Sequence, residues 1–304
     1  MFTARGKRSA LAVGLLAGAT IALSACGGGN PLDTPTDAES GADETIVVGS
    51  QAYYSNEIIA EIYAQALENA GFEVEKQFNI GQRDAYIPEL ESGAVDLFPE
   101  YTGNLLEFLD EDATATSPED VYAALKDVLP EGLTVLDYSE ASDQDTYTVL
   151  KDFAEEHDLK TIADLAKVGT PLTIGASPEF EQRPYGPAAA KEIYGVDLTF
   201  SATGPSTNES LLAGEIDVAD VFTADPLFET EEIVALEDPE NMILASNVVP
   251  VVSEDIADDI DDIINKVSAA LTAEDLVALN VQSTVDKLSS EDIAKKWLED
   301  NDLL

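Results

Sequence analysis

The chain has 304 residues, of which 61 are acidic and 15 are basic, so its formal net charge at pH 7 is −46. This charge excludes nucleic acids and anionic membrane surfaces as partners, because a polyanion repels them. The hydrophobic fraction of 45% is ordinary for a globular protein, and the length suits two lobes of about 100–150 residues each.

The first 25 residues predict an export signal. Three basic residues lie at positions 5, 7 and 8, an apolar run follows over 9–24, and small residues precede Cys26. The run is shorter than the roughly 20 apolar residues that a membrane span needs. The Leu-Ser-Ala-Cys segment at 23–26 resembles the lipobox of bacterial lipoproteins, which implies that Cys26 carries a lipid after cleavage of residues 1–25.

Cys26 is the single cysteine of the chain, so a monomer has no disulfide and no cysteine-based metal site. Residues 26–44 are mainly Gly, Pro, Thr, Ser and acidic residues, a composition typical of a flexible tether. The sequence therefore predicts a protein anchored by lipid to the outer face of the cytoplasmic membrane.

Strands and helices alternate from residue 45 onward, which predicts an α/β fold with a largely parallel sheet. The predicted strands lie at 45–49, 72–78, 95–98 and 146–150, and the predicted helices at 55–69, 86–91 and after the Ser117-Pro118 start signal. A second α/β set follows over 161–236. The tail from 253 to 304 is predicted to be helical, with caps at Ser253, Thr272 and Ser289.

One segment of the sequence is repeated. Residues 90–103 and 211–223 both place a Gly at the end of a predicted helix, an Asp three residues later, and an aromatic residue followed by Thr eight and nine residues later. Ligands of open α/β sheets bind outside the carboxyl ends of the strands. We therefore expect Tyr101 and Phe222 to face a shared cleft, although chance similarity between two common helix–Gly–strand units is the alternative.

The sequence offers little for catalysis. His157 is the single histidine, so neither a Ser-His-Asp triad nor a histidine-based metal site can be built. The chain has no Walker-type phosphate loop, and its acidic clusters lack the EF-hand spacing, so no metal or cofactor is expected. A secreted hydrolase that uses a carboxylate pair stays open as an alternative, because acidic residues are abundant everywhere.

A binding site for a quaternary ammonium group needs aromatic ring faces, because this cation has no hydrogen to donate. A carboxylate on the same ligand needs an Arg or several convergent donors. Candidates of these types are Tyr101, Tyr147, Phe222 and Arg183. The alternatives are a core position for each Tyr and a surface ion pair between Arg183 and a nearby Glu.

From residue 46 to the C-terminus the chain resembles the substrate-binding proteins of osmoprotectant ABC importers, the glycine betaine, choline and carnitine group. The similar segments are 48–51, 93–103, 145–147, 214–226 and 247–250, and Pro-Glu-Tyr-Thr-Gly at 99–103 is the most specific of them. The resemblance implies a two-lobed type II periplasmic-binding-protein fold with two interlobe crossovers. The expected lobes are 45–148 plus 250–304, and 149–249.

The resemblance also implies the ligand-binding residues. They are an aromatic box of Tyr101, Tyr147 and Phe222, a polar contact at Gln51, a carboxylate-binding Arg at Arg183 and a specificity position at Asn104. Thr223 and Asn247 are further polar residues beside the box. Ser246-Asn247 offers no ring as a fourth wall, so a larger or more polar solute such as carnitine or ergothioneine would fit. Tyr53 or Tyr54 could supply the missing ring.

These observations together predict a binding protein, and not an enzyme, that captures a quaternary-ammonium solute and docks on the permease subunits of an ABC importer. A protein of the same fold that binds a different small solute is the nearer alternative. The acidic residues are spread along the whole chain, as in 255–262, which favours adaptation to high external salt over a local cation-attracting site.

Overall fold

The computed structural model describes residues 45–110 and 112–304, which belong to one compact unit. The predicted export signal, Cys26 and the tether at 26–44 lie outside the described residues. Within those two ranges, no helix has both the length and the apolar character that crossing a membrane requires.

The strands, in chain order, are β1 (Ile46–Gln51), β2 (Val74–Gly81), β3 (Leu97–Tyr101), β4 (Leu133–Val135), β5 (Tyr147–Leu150), β6 (Leu172–Ala176), β7 (Leu198–Ala202), β8 (Val218–Asp220), β9 (Ile233–Ala235) and β10 (Val248–Ser253). The α-helices are α1 (Tyr54–Ala70), α2 (Arg83–Glu91), α3 (Thr102–Leu109), α4 (Pro118–Val128), α5 (Lys151–His157), α6 (Pro187–Ala189), α7 (Thr207–Leu212), α8 (Leu227–Thr230), α9 (Glu254–Ala270), α10 (Ala273–Thr284) and α11 (Ser290–Asp300).

Local sequence signals account for the helix ends. Ser117 caps α4 by accepting a hydrogen bond from the Asp120 N–H, and Pro118 occupies the first helical position. Thr272 and Asp275 form a capping box at the start of α10. Helix α1 ends at Gly71, whose φ of 99° is a left-handed conformation that favours glycine.

The strands form two five-stranded sheets, which confirms the predicted α/β class. The first sheet has the order β2-β1-β3-β10-β4 and the second has the order β7-β6-β8-β5-β9. In each sheet four strands share one direction, and one strand, β10 or β5, is antiparallel to both of its neighbours. The antiparallel strand in each sheet was not predicted. Strands β5 and β10 are each the first strand that the chain forms after it crosses from the other sheet.

The chain passes between the sheets twice, from β4 to β5 and from β9 back to β10, as the resemblance implied. Strands β5 and β10 begin at Tyr147 and Val248, two residues before the expected lobe limits at 149 and 250. We call the first sheet with its helices the first lobe, and the second sheet with its helices the second lobe. Each lobe has its own buried apolar clusters.

The repeated segment occupies equivalent places in the two lobes. Strands β3 and β8 are each the third strand of their sheet in the order given above, and each follows a helix that ends near a glycine of φ close to 70°. Asp96 Oδ2 accepts a hydrogen bond from the Val47 N–H at 2.8 Å, and Asp217 Oδ2 accepts one from the Thr173 N–H at 2.8 Å. The repeated Asp therefore ties the turn to the neighbouring parallel strand in both sheets.

Candidate functional site

A cavity of about 370 Å³ lies against residues of both lobes. Most of its wall comes from the segments that follow the carboxyl ends of β3, β6, β7 and β8, which is where ligands of open α/β sheets bind. Asp145, just before β5, and Asp220, at the end of β8, complete it. The residues that line it are Asn104, Glu107, Asp145, Ser177, Phe180, Arg183, Tyr185, Gly204, Pro205, Thr207, Asn208, Asp220, Val221, Phe222 and Asp225.

Three aromatic side chains line the cavity. Phe222 follows β8 and is 46% exposed, which leaves its ring available to a ligand. Phe180 and Tyr185 are almost completely buried, and their rings meet edge to face with centroids 5.9 Å apart. The cavity therefore combines one open ring with two rings held rigidly by packing.

The predicted ring of Tyr147 lies behind this wall. Tyr147 is fully buried in β5, its ring contacts Phe180 with centroids 5.9 Å apart, and its hydroxyl donates to the Tyr185 carbonyl at 2.8 Å. Tyr101, at the end of β3, is 4% exposed and does not line the cavity either. The structure thus brings Phe222 to the cavity and buries the two tyrosines outside its lining.

Three predicted polar residues serve the backbone of the described chain. Thr223 Oγ1 donates to the Ser142 carbonyl at 2.7 Å, and Asn247 Nδ2 donates to the Ser139 carbonyl at 3.0 Å, so both hold the β4–β5 connection. Gln51 is buried at the end of β1 and its N–H donates to Asn56 Oδ1. None of the three is among the residues that line the cavity.

Asn104 and Arg183, in contrast, line the cavity from the first and second lobes respectively. Asn104 Oδ1 accepts a hydrogen bond from Ser246 Oγ at 2.6 Å, so its amide is oriented by the residue that was expected near the missing fourth wall. Arg183 is exposed, and within 45–110 and 112–304 it forms no ion pair with a carboxylate. A second cavity, of about 540 Å³, also contacts Asn104 and Arg183.

Four carboxylates share the cavity, which sequence reasoning did not predict. They are Glu107, Asp145, Asp220 and Asp225. Asp145 Oδ2 accepts a hydrogen bond from the Tyr185 hydroxyl at 3.0 Å. Burial, followed by the neighbouring charge of Asp145, raises the pKa of Asp220 to about 9. The cavity is acidic because four carboxyl groups and the single guanidinium of Arg183 line it.

Tyr53 and Tyr54 do not supply a ring to the cavity. Their rings contact each other with centroids 4.9 Å apart, and the Tyr53 hydroxyl donates to Asp143 Oδ2 at 3.1 Å. Asp143 lies in the β4–β5 connection, and burial raises its pKa to about 6. Tyr53, the residue before α1, thus links the start of that helix to the β4–β5 segment that runs between the lobes.

The residues that were missed stand close to predicted ones in the sequence. Phe180 and Tyr185 flank Arg183, whereas Asp145 and Asp220 lie in two of the segments that carried the resemblance. The signal that could have identified Phe180 and Tyr185 is their position on either side of Arg183, one of the few basic residues in the sequence. Among the described residues, no group of three or more His, Cys, Asp or Glu side chains could hold a metal ion.

The fold is shared with solved binding proteins. A glycine betaine/carnitine/choline ABC transporter structure superposes with a TM-score of 0.79 at 18% identity, covering 85% of this chain and 99% of that chain. Apo YehZ from Escherichia coli superposes with a TM-score of 0.74 at 24% identity, covering 86% and 99%. This likeness shows a two-lobed periplasmic-binding-protein fold, as expected.

Sequence comparison agrees. The chain is 26% identical over 277 residues to the glycine betaine-binding protein YehZ of Escherichia coli K12, covering 85% of this chain and 91% of that protein. It is 24% identical over 271 residues to the carnitine transport binding protein OpuCC of Listeria monocytogenes, covering 85% and 87%. A family model described as the substrate binding domain of ABC-type glycine betaine transport systems matches residues 44–300. The chain therefore belongs to this family, whose members are solute-binding proteins of ABC transporters and not enzymes.

Proposed function

We propose that the protein captures a quaternary-ammonium compatible solute, of the glycine betaine, choline or carnitine kind, in the 370 Å³ cavity and delivers it to an importer. Family membership makes it an extracytoplasmic substrate-binding protein of an ABC importer. The identity of the solute goes beyond family membership and is our proposal. The observation that carries it is the exposed ring of Phe222 in a cavity that Tyr185 and a surplus of carboxyl groups also line.

This arrangement matches the chemistry of a quaternary ammonium. Such a cation interacts with the negative face of an aromatic ring, and each contact contributes up to about 2 kcal/mol in a desolvated site. The carboxylates add long-range attraction. Arg183 and Asn104, which lie in the same cavity, would bind a carboxylate or hydroxyl at the other end of the solute.

The residues implied by the resemblance have different roles in this proposal: some contact the solute and others support those contacts. Phe222, Arg183 and Asn104 contact the solute directly. Tyr147 supports Phe180 and Tyr185 from behind, through its ring contact and its hydrogen bond. Tyr101 and Gln51 are retained as contacts that form when the two lobes close on the solute, and Thr223 and Asn247 hold the connection about which they close.

The closed form would dock on the permease subunits, and the lipid on Cys26 would keep the protein at the membrane surface. Carnitine or ergothioneine is a second candidate, because Ser246-Asn247 offers no ring as a fourth wall and the Ser246 hydroxyl instead holds Asn104, a polar residue that lines the cavity. A hydrolase is not retained, because the family consists of solute-binding proteins.

Calorimetric titration of the purified protein with glycine betaine, choline, carnitine, proline betaine and ergothioneine tests the proposal. We expect the best of these solutes to bind, and the Phe222→Ala variant to bind it about 10- to 30-fold more weakly, which corresponds to the loss of up to about 2 kcal/mol. Phe222→Tyr keeps the ring and should retain affinity. Ile193→Ala, which removes another exposed apolar side chain, is the matched control.

Absence of heat with every solute, from protein shown to be folded by circular dichroism, would refute the quaternary-ammonium proposal and leave the importer family intact. Wild-type affinity in Phe222→Ala would refute the assignment of this ring to the site. In that case Tyr101→Ala and Tyr147→Ala would test whether the originally implied box binds the cation instead.

A further inference from the structure

The charges around the cavity are unbalanced. Glu107, Asp145, Asp220 and Asp225 contribute four carboxyl groups, whereas Arg183 contributes the one guanidinium among its lining residues. Asp225 is satisfied locally, because it accepts hydrogen bonds from the Leu227 N–H at 2.8 Å and from Asn208 Nδ2 at 3.2 Å. Among the described residues, Glu107, Asp145 and Asp220 form no salt bridge.

Asp145 and Asp220 form a pair because of the strand register. Asp220 ends β8 and lies opposite Tyr147 of the antiparallel β5, and Asp145 precedes Tyr147 by two residues. Both carboxyl groups line the cavity, and they are close enough for the Asp145 charge to raise the pKa of Asp220. Asp220 Oδ1 is shielded from solvent and receives no hydrogen bond from another described group.

The groups that face this pair come from several elements. The Tyr185 hydroxyl, in the segment after β6, donates to Asp145, and the Arg183 charge partly favours ionisation of Asp220. Tyr147 of β5 is beside Asp220, Glu107 of α3 faces Tyr185, and Asp225 follows β8. Two buried carboxylates this close cannot both ionise easily, so the empty pair holds one proton at neutral pH.

We propose that the Asp145–Asp220 pair determines specificity: it makes the site prefer a solute of net positive charge, a quaternary-ammonium alcohol such as choline, over a zwitterionic betaine, and it releases its shared proton when the cation binds. This inference rests on the proposed function. The cation replaces the proton as the counter-charge of the pair, so the O–H proton leaves to solvent and no other bond is made or broken. A betaine would bring its own carboxylate into a cavity in which four carboxyl groups already face the single guanidinium of Arg183.

The size of the effect follows from Coulomb's law. A unit charge about 5 Å away, at an effective dielectric constant of about 20, lowers the pKa of the pair by about 2. Starting from a pKa of about 9 for Asp220, binding at pH 7 then releases about half a proton per site. By the same linkage, affinity for the cation rises about tenfold between pH 6 and pH 8.

Calorimetric titration of the unmodified protein with choline and with glycine betaine tests the inference. The titrations at pH 7 are run in phosphate and in Tris, whose ionisation enthalpies differ, so that the difference in heat counts the protons released. We expect about half a proton with choline, tightening of choline binding by about tenfold from pH 6 to pH 8, and binding of choline at least about tenfold tighter than that of glycine betaine at pH 8.

Asp220→Asn should abolish both the proton release and the pH dependence of choline affinity. It should also reduce the ratio of choline affinity to glycine betaine affinity. Asp197→Asn, which changes an exposed carboxylate of the second lobe outside the cavity, should behave as the wild type. Binding without proton release, or equal affinities for the two solutes, would overturn this inference and leave the proposed function standing. Failure of both solutes and of the other betaines to bind would overturn the two together.

Discussion

Stability of the first lobe should depend strongly on the buried carboxylate of Glu100. Glu100 lies in β3 and is fully buried. It receives hydrogen bonds from Arg83 at 3.0 and 2.7 Å, from the Tyr101 N–H at 2.9 Å and from the Tyr86 hydroxyl. One carboxylate thus fixes the start of α2, the end of β3 and the backbone that carries Tyr101.

The informative change is Glu100→Gln, which keeps the shape and removes the charge. The new amide NH₂ takes the place of one carboxylate oxygen, so the donors on that side lose their acceptor, and Arg83 loses its counter-ion. Breaking a buried ion pair costs about 3–5 kcal/mol. The Arg83 side chain is 22% exposed and can reach water, so we expect about 3 kcal/mol of lost unfolding free energy, the lower end of that range.

Urea unfolding followed by far-UV circular dichroism measures this loss. Glu232→Gln is the matched control, because Glu232 pairs with Lys151 at the surface and is 79% exposed, so its removal should leave no measurable change. A Glu100→Gln variant that is no less stable than Glu232→Gln would refute the reasoning. It would mean that water or a rearranged Arg83 replaces the lost contacts without cost.

Two further predictions concern pH and the membrane. The pKa of Asp143 in the folded protein is about 6, above the value of about 3.9 in an unfolded chain, so the folded state binds more protons and the Asp143 contribution to stability falls as pH rises from about 4 to about 6. Thermal unfolding of Asp143→Asn against wild type should therefore show a relative gain of up to about 3 kcal/mol at pH 7 over pH 4, and parallel pH profiles would contradict it. Cys26→Ser should move the protein from the membrane fraction to the soluble fraction on immunoblots, and unchanged membrane retention would exclude the lipid anchor.

Much of the fold could be predicted from local signals, because those signals act over a few residues. Ser117-Pro118 and Thr272 mark helix starts through capping hydrogen bonds that the chain makes with itself, and Gly71 ends α1 because it adopts a positive φ. The repeated helix–Gly–Asp–strand unit predicted that Tyr101 and Phe222 both face a shared cleft, and of the two only Phe222 lines the cavity. Each of these predictions depended on sequence spacing alone.

Tertiary structure decided which candidates reach the cavity and what charge it carries. Tyr147 was a predicted site residue and Tyr185 was not, yet Tyr147 is enclosed in β5 and Tyr185 lines the cavity, because burial depends on how the second sheet packs. Asp145 and Asp220 are 75 positions apart in the sequence and become neighbours through the antiparallel β5–β8 register. Protonation of a carboxyl group depends on burial and on the distance to the next charge, and both are set only when the two strands pair.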